Sequence, residues 1–284
     1  MKKILITGAD SYIGTSFDNW CGLYPDQYEV STLDVKDSCW CANSFKGYDV
    51  VFHVAGIAHV TSNTKQKELY HSINCELAYE TARKAKNDGV KQFIFMSSIK
   101  VYGEHSEFIT KETIPEADSI YGESKLQAEI KLKTLESDGF KIVIIRAPMI
   151  YGKDSKGNFP KLVNLAKRVP VFPRYENCRS MLHIDNLCEF VRLMIENHEN
   201  GVFFPQNTEY VSTYKMIESI RRKLNKKTIL IKIFNWFLKL FIGKNALVTK
   251  IFGNLAYDKK LSIYKDKYCV RSFSQSIDFL EKKS

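Results

Sequence analysis

Short apolar runs alternate with helical patterns through the first half of the chain, and this alternation restricts the possible folds most. The runs are KKILIT, EVSTLDV, DVVFHVA, QFIFMSS and KIVIIRA. Helical patterns such as SINCELAYETARKAKNDG and ESKLQAEIKLKTLESDG lie between several of them. Continuous apolar strands separated by helices are typical of a parallel sheet covered on both faces. The sequence therefore predicts an α/β fold with a doubly wound parallel sheet.

The regular alternation fades after Tyr151, where prolines punctuate shorter elements. A length of 284 residues suits one large domain or two small ones, at roughly 150 residues per domain. We therefore expect a sheet domain over residues 1–150 and a smaller region over residues 151–284. The interval between Asp34 and Asp49 is too short for a full helix and strand, so it predicts an abbreviated connection.

The cysteines and histidines indicate neither a disulfide framework nor a metal site. The seven cysteines are scattered and form no Cys-x-x-Cys pair. They are expected to be buried thiols in a reducing cytoplasm, and the N-terminal apolar run is too short for a signal peptide. The six histidines have no metal-ligand spacing, and His59 is interpreted as structural.

The net charge of +10 is concentrated at the C-terminal end. Residues 221–284 contain 16 Lys and Arg against 4 Asp and Glu, whereas residues 1–220 contain 26 against 28. Within this region, residues 230–244 (LIKIFNWFLKLFIGK) predict an amphipathic helix with a lysine-bearing stripe and a broad apolar face. Such a helix packs over a pocket or at a subunit contact, or it contacts an anionic membrane surface. The basic residues are interleaved with aliphatic ones, so no nucleic-acid partner is expected.

The first strand runs into a glycine-bearing turn, TGADSYIG, before a helix. Such a turn presents backbone N–H groups to a pyrophosphate at the helix N-terminus. Gly8 and Gly14 match Gly-x-x-Gly-x-x-Gly, but Ser11 replaces the middle glycine, where a left-handed backbone would cost serine roughly 1 kcal/mol. The alternative is an ordinary strand-to-helix turn.

Asp34 ends the second apolar run, where a carboxylate suits the ribose hydroxyls of NAD and repels the 2′-phosphate of NADP. Lys36 could accommodate that phosphate, and either Asp34 or Asp37 could contact adenine instead. The sequence therefore favours NAD and leaves NADP open.

Ser98, Tyr121 and Lys125 form the sharpest constellation. Ser98 ends the run QFIFMSS, at the sheet edge where doubly wound folds bind ligands. Tyr121 and Lys125 are four residues apart and share one helical face. A free phenol has a pKa of about 10, and a neighbouring ammonium favours its ionised form. This set predicts proton transfer by Tyr121.

The chain resembles the extended short-chain dehydrogenase/reductase family, in its nucleotide-sugar epimerase/dehydratase branch. The resemblance spans essentially the whole chain and is carried by TGADSYIG, HVAG, SSIKVYG, YGESK, RAPMIYG and RSMLHIDNL. It implies a Rossmann-like fold that holds NAD, a substrate region with interleaved boundaries, and a homodimer.

The resemblance also implies roles for individual residues. Tyr121 would transfer the proton, Ser98 would bind the reacting oxygen, and Lys125 would bind the nicotinamide ribose and lower the tyrosine pKa. Arg179 would contact the substrate diphosphate, because guanidinium suits phosphate oxygens. The implied cofactor-binding residues are Gly8, Ser11, Tyr12, Ile13, Gly14, Asp34, Ala55, Gly56, Tyr121, Lys125 and Pro148.

Departures from the family pattern narrow the reaction. Ile99 and Lys100 stand where related 4,6-dehydratases have Asp-Glu, and the Glu of decarboxylating relatives is also absent. Oxidation or reduction at sugar C4 remains. The sequence favours a UDP-hexose 4-epimerase, with a UDP-4-keto-6-deoxy-sugar 4-reductase as the alternative. A non-catalytic dinucleotide-sensing protein is the third possibility, because Ser11 departs from the motif.

Overall fold

A computed structural model describes residues 1–58 and 64–280 of the chain. His59 lies outside the described residues. The strands are β1 (Lys2–Thr7), β2 (Tyr28–Leu33), β3 (Val50–His53), β4 (Gln92–Ser98), β5 (Phe108–Ile109), β6 (Lys141–Ala147), β7 (Met149–Tyr151), β8 (Val171–Pro173), β9 (Met181–His183), β10 (Gly201–Phe203), β11 (Ile229–Ile231) and β12 (Ala256–Tyr257). The α-helices are α1 (Tyr12–Cys21), α2 (Thr64–His71), α3 (Leu77–Asn87), α4 (Ile120–Lys133), α5 (Asn158–Arg168), α6 (Ile184–Glu196), α7 (Thr213–Lys223), α8 (Asn235–Phe241) and α9 (Ala246–Phe252).

Six strands form the central sheet in the order β10-β6-β4-β3-β1-β2, and all of its pairs are parallel. Every residue of β3 and β4 is buried, as expected for strands with helices on both faces. β1 lies between β2 and β3, so the order in which strands are added to the sheet reverses at β1. This confirms the predicted Rossmann-like doubly wound sheet and places a ligand crevice at the carboxyl ends of β1 and β3.

The connection from β2 to β3 is abbreviated, as predicted. Residues 34–49 contain a 3₁₀ turn, Ser38–Ala42, and neither an α-helix nor a strand. Phe45 anchors the connection, because its ring is fully buried in the core and its backbone N–H donates to Asp88 at 2.7 Å. The buried Phe45 ring thus holds in place a connection that contains neither an α-helix nor a strand.

The chain divides into two compact units. The first comprises Met1–Gly103, Ile114–Ala147 and Leu187–Pro205, and the second comprises Glu104–Thr113, Pro148–Asn186 and Gln206–Ser284. The first unit contains the six-stranded sheet. The second contains three two-stranded pairs, β5 with β12, β7 with β9 and β8 with β11.

Residues 230–244 do not form one helix. Ile229–Ile231 pair in parallel with Val171–Pro173, so backbone pairing takes the start of the segment into β11. The helix α8 begins only at Asn235, and none of its residues is buried. The prediction of a single amphipathic helix is therefore wrong, although a shorter exposed helix lies within the range.

All seven cysteines are free. Cys21, Cys75 and Cys188 are buried, but Cys39 and Cys41 are exposed on the 3₁₀ turn after β2. The expectation of buried thiols is wrong for these two, because the abbreviated connection runs over the surface. Within residues 1–58 and 64–280, no helix is long and apolar enough to cross a membrane.

Candidate active site

The turn after β1 is shaped by a serine cap. Ser11 has φ −76° and ψ 144°, an extended conformation, and its Oγ accepts a hydrogen bond from the Gly14 N–H at 3.0 Å. The strain considered for a left-handed serine is therefore absent, because Ser11 serves as the N-cap of α1. Tyr12 and Ile13 begin the helix.

Gly8 adopts a backbone conformation that favours glycine, with φ 102°. A Cβ at this position would lie 2.8 Å from the Ala55 nitrogen, so the chain after β1 approaches the chain after β3 with no room for a side chain. Gly56 follows Ala55 in this loop. The N-terminus of α1 faces the same turn, and its N–H groups favour an anion. This cradle fits the pyrophosphate of a dinucleotide.

Asp34 is exposed directly after β2, and its Oδ1 accepts from the Lys36 N–H at 2.9 Å. Asp37 caps the following 3₁₀ turn by accepting from the Cys39 N–H at 3.0 Å. Asp37 therefore has a structural role, and Asp34 is the carboxylate at the end of β2.

Ser98 and Tyr121 meet at the carboxyl end of β4. Ser98 is the last residue of that strand and is 9% exposed. Tyr121 is the second residue of α4, whose N-cap Ser119 accepts from the Gly122 N–H at 3.2 Å. The Ser98 side chain lies near the Tyr121 phenol and interacts with it. Burial raises the pKa of Tyr121, and the interaction with Ser98 opposes that rise.

Lys125 lies one helical turn after Tyr121 and is buried, with Nζ 4.5 Å from the centre of the Phe95 ring. Burial lowers the pKa of Lys125 to about 8, and the nearby Glu129 carboxylate opposes this shift. Desolvation of the phenol is the largest influence on the Tyr121 pKa, and the lowering of that pKa by Lys125 stays a prediction.

Lys125→Met is expected to change how stability depends on pH. The lysine pKa is about 8 in the folded chain and 10.5 ordinarily, so the unfolded chain binds more protons between these values. The free energy of unfolding of the wild type should therefore rise from pH 8 to 10.5 relative to the variant, by up to about 3 kcal/mol. Urea unfolding across this range measures the difference, and parallel pH profiles would contradict a buried Lys125.

Gly122 lies where α4 touches the 3₁₀ turn Ile99–Tyr102. A Cβ at Gly122 would overlap the carbonyl oxygen of Lys100 and lie 3.0 Å from its carbonyl carbon. The backbone atoms of Lys100 can move only if the turn moves with them. The absence of a side chain at Gly122 therefore keeps Tyr121 beside Ser98.

Gly122→Ala is expected to separate Tyr121 from Ser98 and to lower turnover about a hundredfold. The matched control is Gly139→Ala, because a Cβ there meets no atom within 4 Å. Steady-state kinetics and circular dichroism of both variants measure the effect. A folded Gly122→Ala protein with wild-type turnover would show that the close contact does not position Tyr121.

Sequence reasoning missed Asn74, which lies in a π-helical turn, Ser72–Glu76, between α2 and α3. Its Oδ1 accepts from the Ile57 N–H at 2.9 Å, and its Nδ2 donates to the Ile57 carbonyl at 3.1 Å and to Ser124 Oγ at 3.0 Å. Asn74 therefore ties the loop after β3 to α4. The available signal was a polar residue on the apolar face of the pattern SINCELAYE.

A buried ion pair lies beneath α4. The Arg146 Nε donates to both carboxylate oxygens of Glu129 at 3.1 Å, and its Nη2 donates to one of them at 2.6 Å. Its Nη1 donates to the Tyr102 hydroxyl at 2.6 Å, and Ser97 Oγ donates to Glu129. The pair joins α4, β6 and the turn after β4.

Arg179 and Pro148 belong to the second unit. Arg179 donates to the Gly253 carbonyl at 3.1 Å and to the Thr249 carbonyl at 3.0 Å, and no carboxylate of the described residues pairs with it. Burial lowers the pKa of Arg179 to about 10. Burial lowers the pKa of Lys250, and the nearby charges of Lys161 and Arg179 lower it further. Among the residues that the structure describes, none of these three cations is paired with a carboxylate, and such a group suits an anion.

His71, Cys75 and Glu76 bring their potential ligand atoms within 4.8 Å of one another, although their spacing did not suggest a metal site. Hydrogen bonds account for two of them. His71 Nδ1 pairs with Gln127 Oε1 at 2.8 Å, and Glu76 accepts from Lys131 at 2.5 Å. The group is a polar contact between helices.

The sequence profile of the NAD dependent epimerase/dehydratase family matches residues 4–210. The chain therefore belongs to this family, and the resemblance seen in its motifs is confirmed. It is an NAD-dependent enzyme. The fit of the Gly8 cradle to a pyrophosphate agrees with that cofactor.

Individual proteins that are similar to the chain include two epimerases and a reductase. It is similar to a UDP-glucose 4-epimerase of Vibrio cholerae, with 32% identity over 90% of this chain and 87% of that protein. It is also similar to an N-acetyl-alpha-D-glucosaminyl-diphospho-ditrans,octacis-undecaprenol 4-epimerase of Escherichia coli O157:H7, with 24% identity over 79% of this chain and 73% of that protein. A dTDP-4-dehydrorhamnose reductase structure from Clostridium acetobutylicum has the same fold, with a TM-score of 0.67, 24% identity, and coverage of 81% of this chain and 83% of that one.

Proposed function

We propose that the chain is a UDP-hexose 4-epimerase that works through a transient 4-keto sugar. The observation that carries this proposal is the contact of Ser98 with Tyr121, one helical turn from Lys125, at the carboxyl end of β4. Similarity to the V. cholerae UDP-glucose 4-epimerase supports the substrate. When bound, NAD supplies the acceptor and later the donor of the hydride at C4.

The three residues divide the work of proton transfer. Tyr121 takes the proton of the 4-hydroxyl as the C4 hydrogen leaves, and it returns this proton after the keto sugar has turned over. Ser98 donates a hydrogen bond to the reacting oxygen. Lys125 holds the nicotinamide ribose and its ammonium favours the phenolate. Because Lys125 has a pKa of about 8, it is mostly charged at pH 7.

Cofactor and substrate contacts extend this site. The residues proposed to bind the dinucleotide are Gly8, Ser11, Tyr12, Ile13, Gly14, Ala55, Gly56 and Pro148. Asp34 binds the adenosine ribose, and its carboxylate favours NAD over NADP. Arg179 binds the substrate diphosphate, which its freedom from carboxylate partners supports.

The experiment that tests the proposal measures cofactor content and turnover together. Protein purified without added cofactor is denatured, and the released dinucleotide is quantified per chain. An epimerase should release close to one equivalent of NAD and interconvert UDP-glucose and UDP-galactose, or their 2-acetamido forms, without net cofactor consumption. No C4 inversion with either pair would contradict the proposal.

A 4-keto reductase is the alternative, which the likeness to the dTDP-4-dehydrorhamnose reductase fold favours. In that case the purified protein is empty and binds NADH or NADPH reversibly. It then consumes one reduced cofactor for each UDP-4-keto-6-deoxy sugar.

A second candidate substrate is a sugar joined through diphosphate to a polyprenol lipid, as in the name of the E. coli relative. The exposed apolar side chains of α8 favour it, because such a substrate resides in a membrane. Turnover of a short-chain polyprenyl-diphosphate sugar, but not of the UDP sugar, would select this candidate.

The proposal also covers the cellular location, the oligomeric state and the membrane contact of the protein. We propose a cytoplasmic homodimer with contact to a membrane surface through the basic C-terminal region. Exposed apolar side chains on the first-unit helices, Leu69 on α2 and Ile130 on α4, support the dimer. Light scattering after size exclusion tests it, and a monomer at micromolar concentration would contradict it.

A further inference from the structure

One surface of the second unit exposes aromatic and aliphatic side chains that the proposed reaction does not use. We name it the α8 surface and define it as residues 229–250. Trp236 is 67% exposed and Ile233 is 72% exposed, which is unusual for side chains of this size. The larger apolar side chains exposed there are Ile229, Ile233, Phe234, Trp236, Phe237, Leu240, Phe241 and Leu247.

The helix α8 is apolar on its inner side as well. Leu238 and Ile242 pack against the buried cluster of the second unit and hold the helix in place. The outward side chains are therefore an additional apolar face on a helix that is already anchored. A contiguous exposed apolar face of this kind marks an interaction site.

The charged residues of the α8 surface itself are all lysines. Residues 219–257 contain nine Lys and Arg and no Asp or Glu. Lys232 and Lys239 lie on the α8 surface, and neither is paired with a carboxylate among the described residues. An anionic partner fits this charge.

A groove beside α8 brings Lys232 and Lys239 together with Arg174. Its volume is about 380 Å³, and it is lined by Arg174, Tyr175, Glu176, Lys232, Asn235 and Lys239. Glu176, the acidic member, already accepts from the Tyr214 hydroxyl at 2.7 Å. Asn235 Nδ2 donates to the Arg174 carbonyl at 2.8 Å and ties the start of α8 to the groove wall. The groove therefore holds three cations and one carboxylate, and its net charge next to the apolar face is positive.

A second copy of this chain fits the surface poorly. A two-fold contact would place the same patch against itself, and its lysines would face each other without acidic partners. An acidic protein would satisfy the lysines, but Trp and Phe beside Lys are the combination that enters the interface of a bilayer.

We propose that the α8 surface docks on an anionic phospholipid bilayer. Trp236, Phe237 and Leu240 enter the interfacial layer, and the groove of Arg174, Lys232 and Lys239 binds lipid phosphate groups. This inference rests on the membrane contact included in the proposed function, but the reaction on a soluble UDP sugar does not require it.

Flotation of the full chain with vesicles tests the docking. The protein should float with phosphatidylcholine vesicles that contain phosphatidylglycerol, and it should stay behind with phosphatidylcholine alone. Replacing Lys232, Lys239 and Lys244 together with Gln should weaken anionic-vesicle binding about a hundredfold, at about fivefold for each lysine. Exposed lysines elsewhere give the matched control, K91Q/K111Q/K133Q, which should bind like the wild type.

The apolar half of the surface is tested in the same way. W236S/L240S should abolish flotation, whereas L23S/I114S, which changes exposed side chains elsewhere, should not. Trp236→Phe should still float. In this variant brominated lipid should no longer quench the tryptophan emission that it quenches in the wild type. Absence of anionic-vesicle binding by the wild type, or equal losses in the control variants, would overturn the proposal.

Two further readouts separate other outcomes. A dimer that dissociates in W236S/L240S, as seen by light scattering, would show that a second copy covers the surface and would overturn the docking. Epimerase turnover on a UDP sugar is measured in the same samples. Retained turnover without vesicle binding overturns the docking alone, and vesicle binding without turnover overturns the proposed reaction alone.

Discussion

Tyr121→Phe should lower kcat for C4 inversion by between a hundredfold and ten thousandfold, the range expected for loss of a positioned acid or base. The variant removes one oxygen and keeps the ring, which stands 6.3 Å from the Tyr70 ring in an edge-on contact. Cofactor binding and stability should therefore change little. Steady-state kinetics on the UDP sugar, with dinucleotide content measured in parallel, gives the comparison.

The matched control for this variant is Tyr79→Phe, on α3 of the same unit, where the ring lies beside Lys131. It should keep wild-type turnover. Unchanged turnover in Tyr121→Phe would contradict proton transfer by Tyr121. It would favour the third possibility, a protein that binds the dinucleotide without catalysis.

Arg146→Leu should reduce the free energy of unfolding by about 3–5 kcal/mol, because it leaves the Glu129 carboxylate buried without its partner. Glu129 is 1% exposed and Arg146 is 7% exposed, so water cannot replace the lost hydrogen bonds. The effect should exceed that of any surface pair. Urea unfolding at pH 7 measures it.

Two comparisons isolate the cause. Arg83→Leu breaks an exposed ion pair with Glu80 and should cost no more than about 1 kcal/mol. The double variant E129L/R146L should recover most of the stability lost in Arg146→Leu, because no buried charge remains. A double variant as unstable as the single one would assign the loss to packing instead of the unpaired carboxylate.

The sequence was sufficient to predict the sheet because its strands are continuous apolar runs. The runs KKILIT, QFIFMSS and KIVIIRA coincide with β1, β4 and β6. The same regularity located Ser98 at a strand end and Tyr121 with Lys125 on one helix. Local sequence specifies these features, since a parallel sheet places successive strand ends at one edge.

Other features depend on contacts between distant residues and could not be predicted. Asn74 meets Ser124 across 50 positions of sequence, and Glu129 meets Arg146 from another element. The start of α8 was misplaced because β11 pairs with β8, about 58 positions earlier in the chain. The direction of the Tyr121 pKa shift depends on burial, which the Tyr-x-x-x-Lys spacing does not report.

The division into interleaved segments has a consequence for biosynthesis. The edge strand β10 belongs to the first unit, yet it ends at Phe203, after more than two thirds of the chain has been made. A ribosome that has released only residues 1–150 therefore exposes an unfinished sheet, with the edge of β6 open to other strands. The nascent chain needs protection until β10 emerges, and a gene cut at residue 150 would encode two fragments that each lack a part of their own unit.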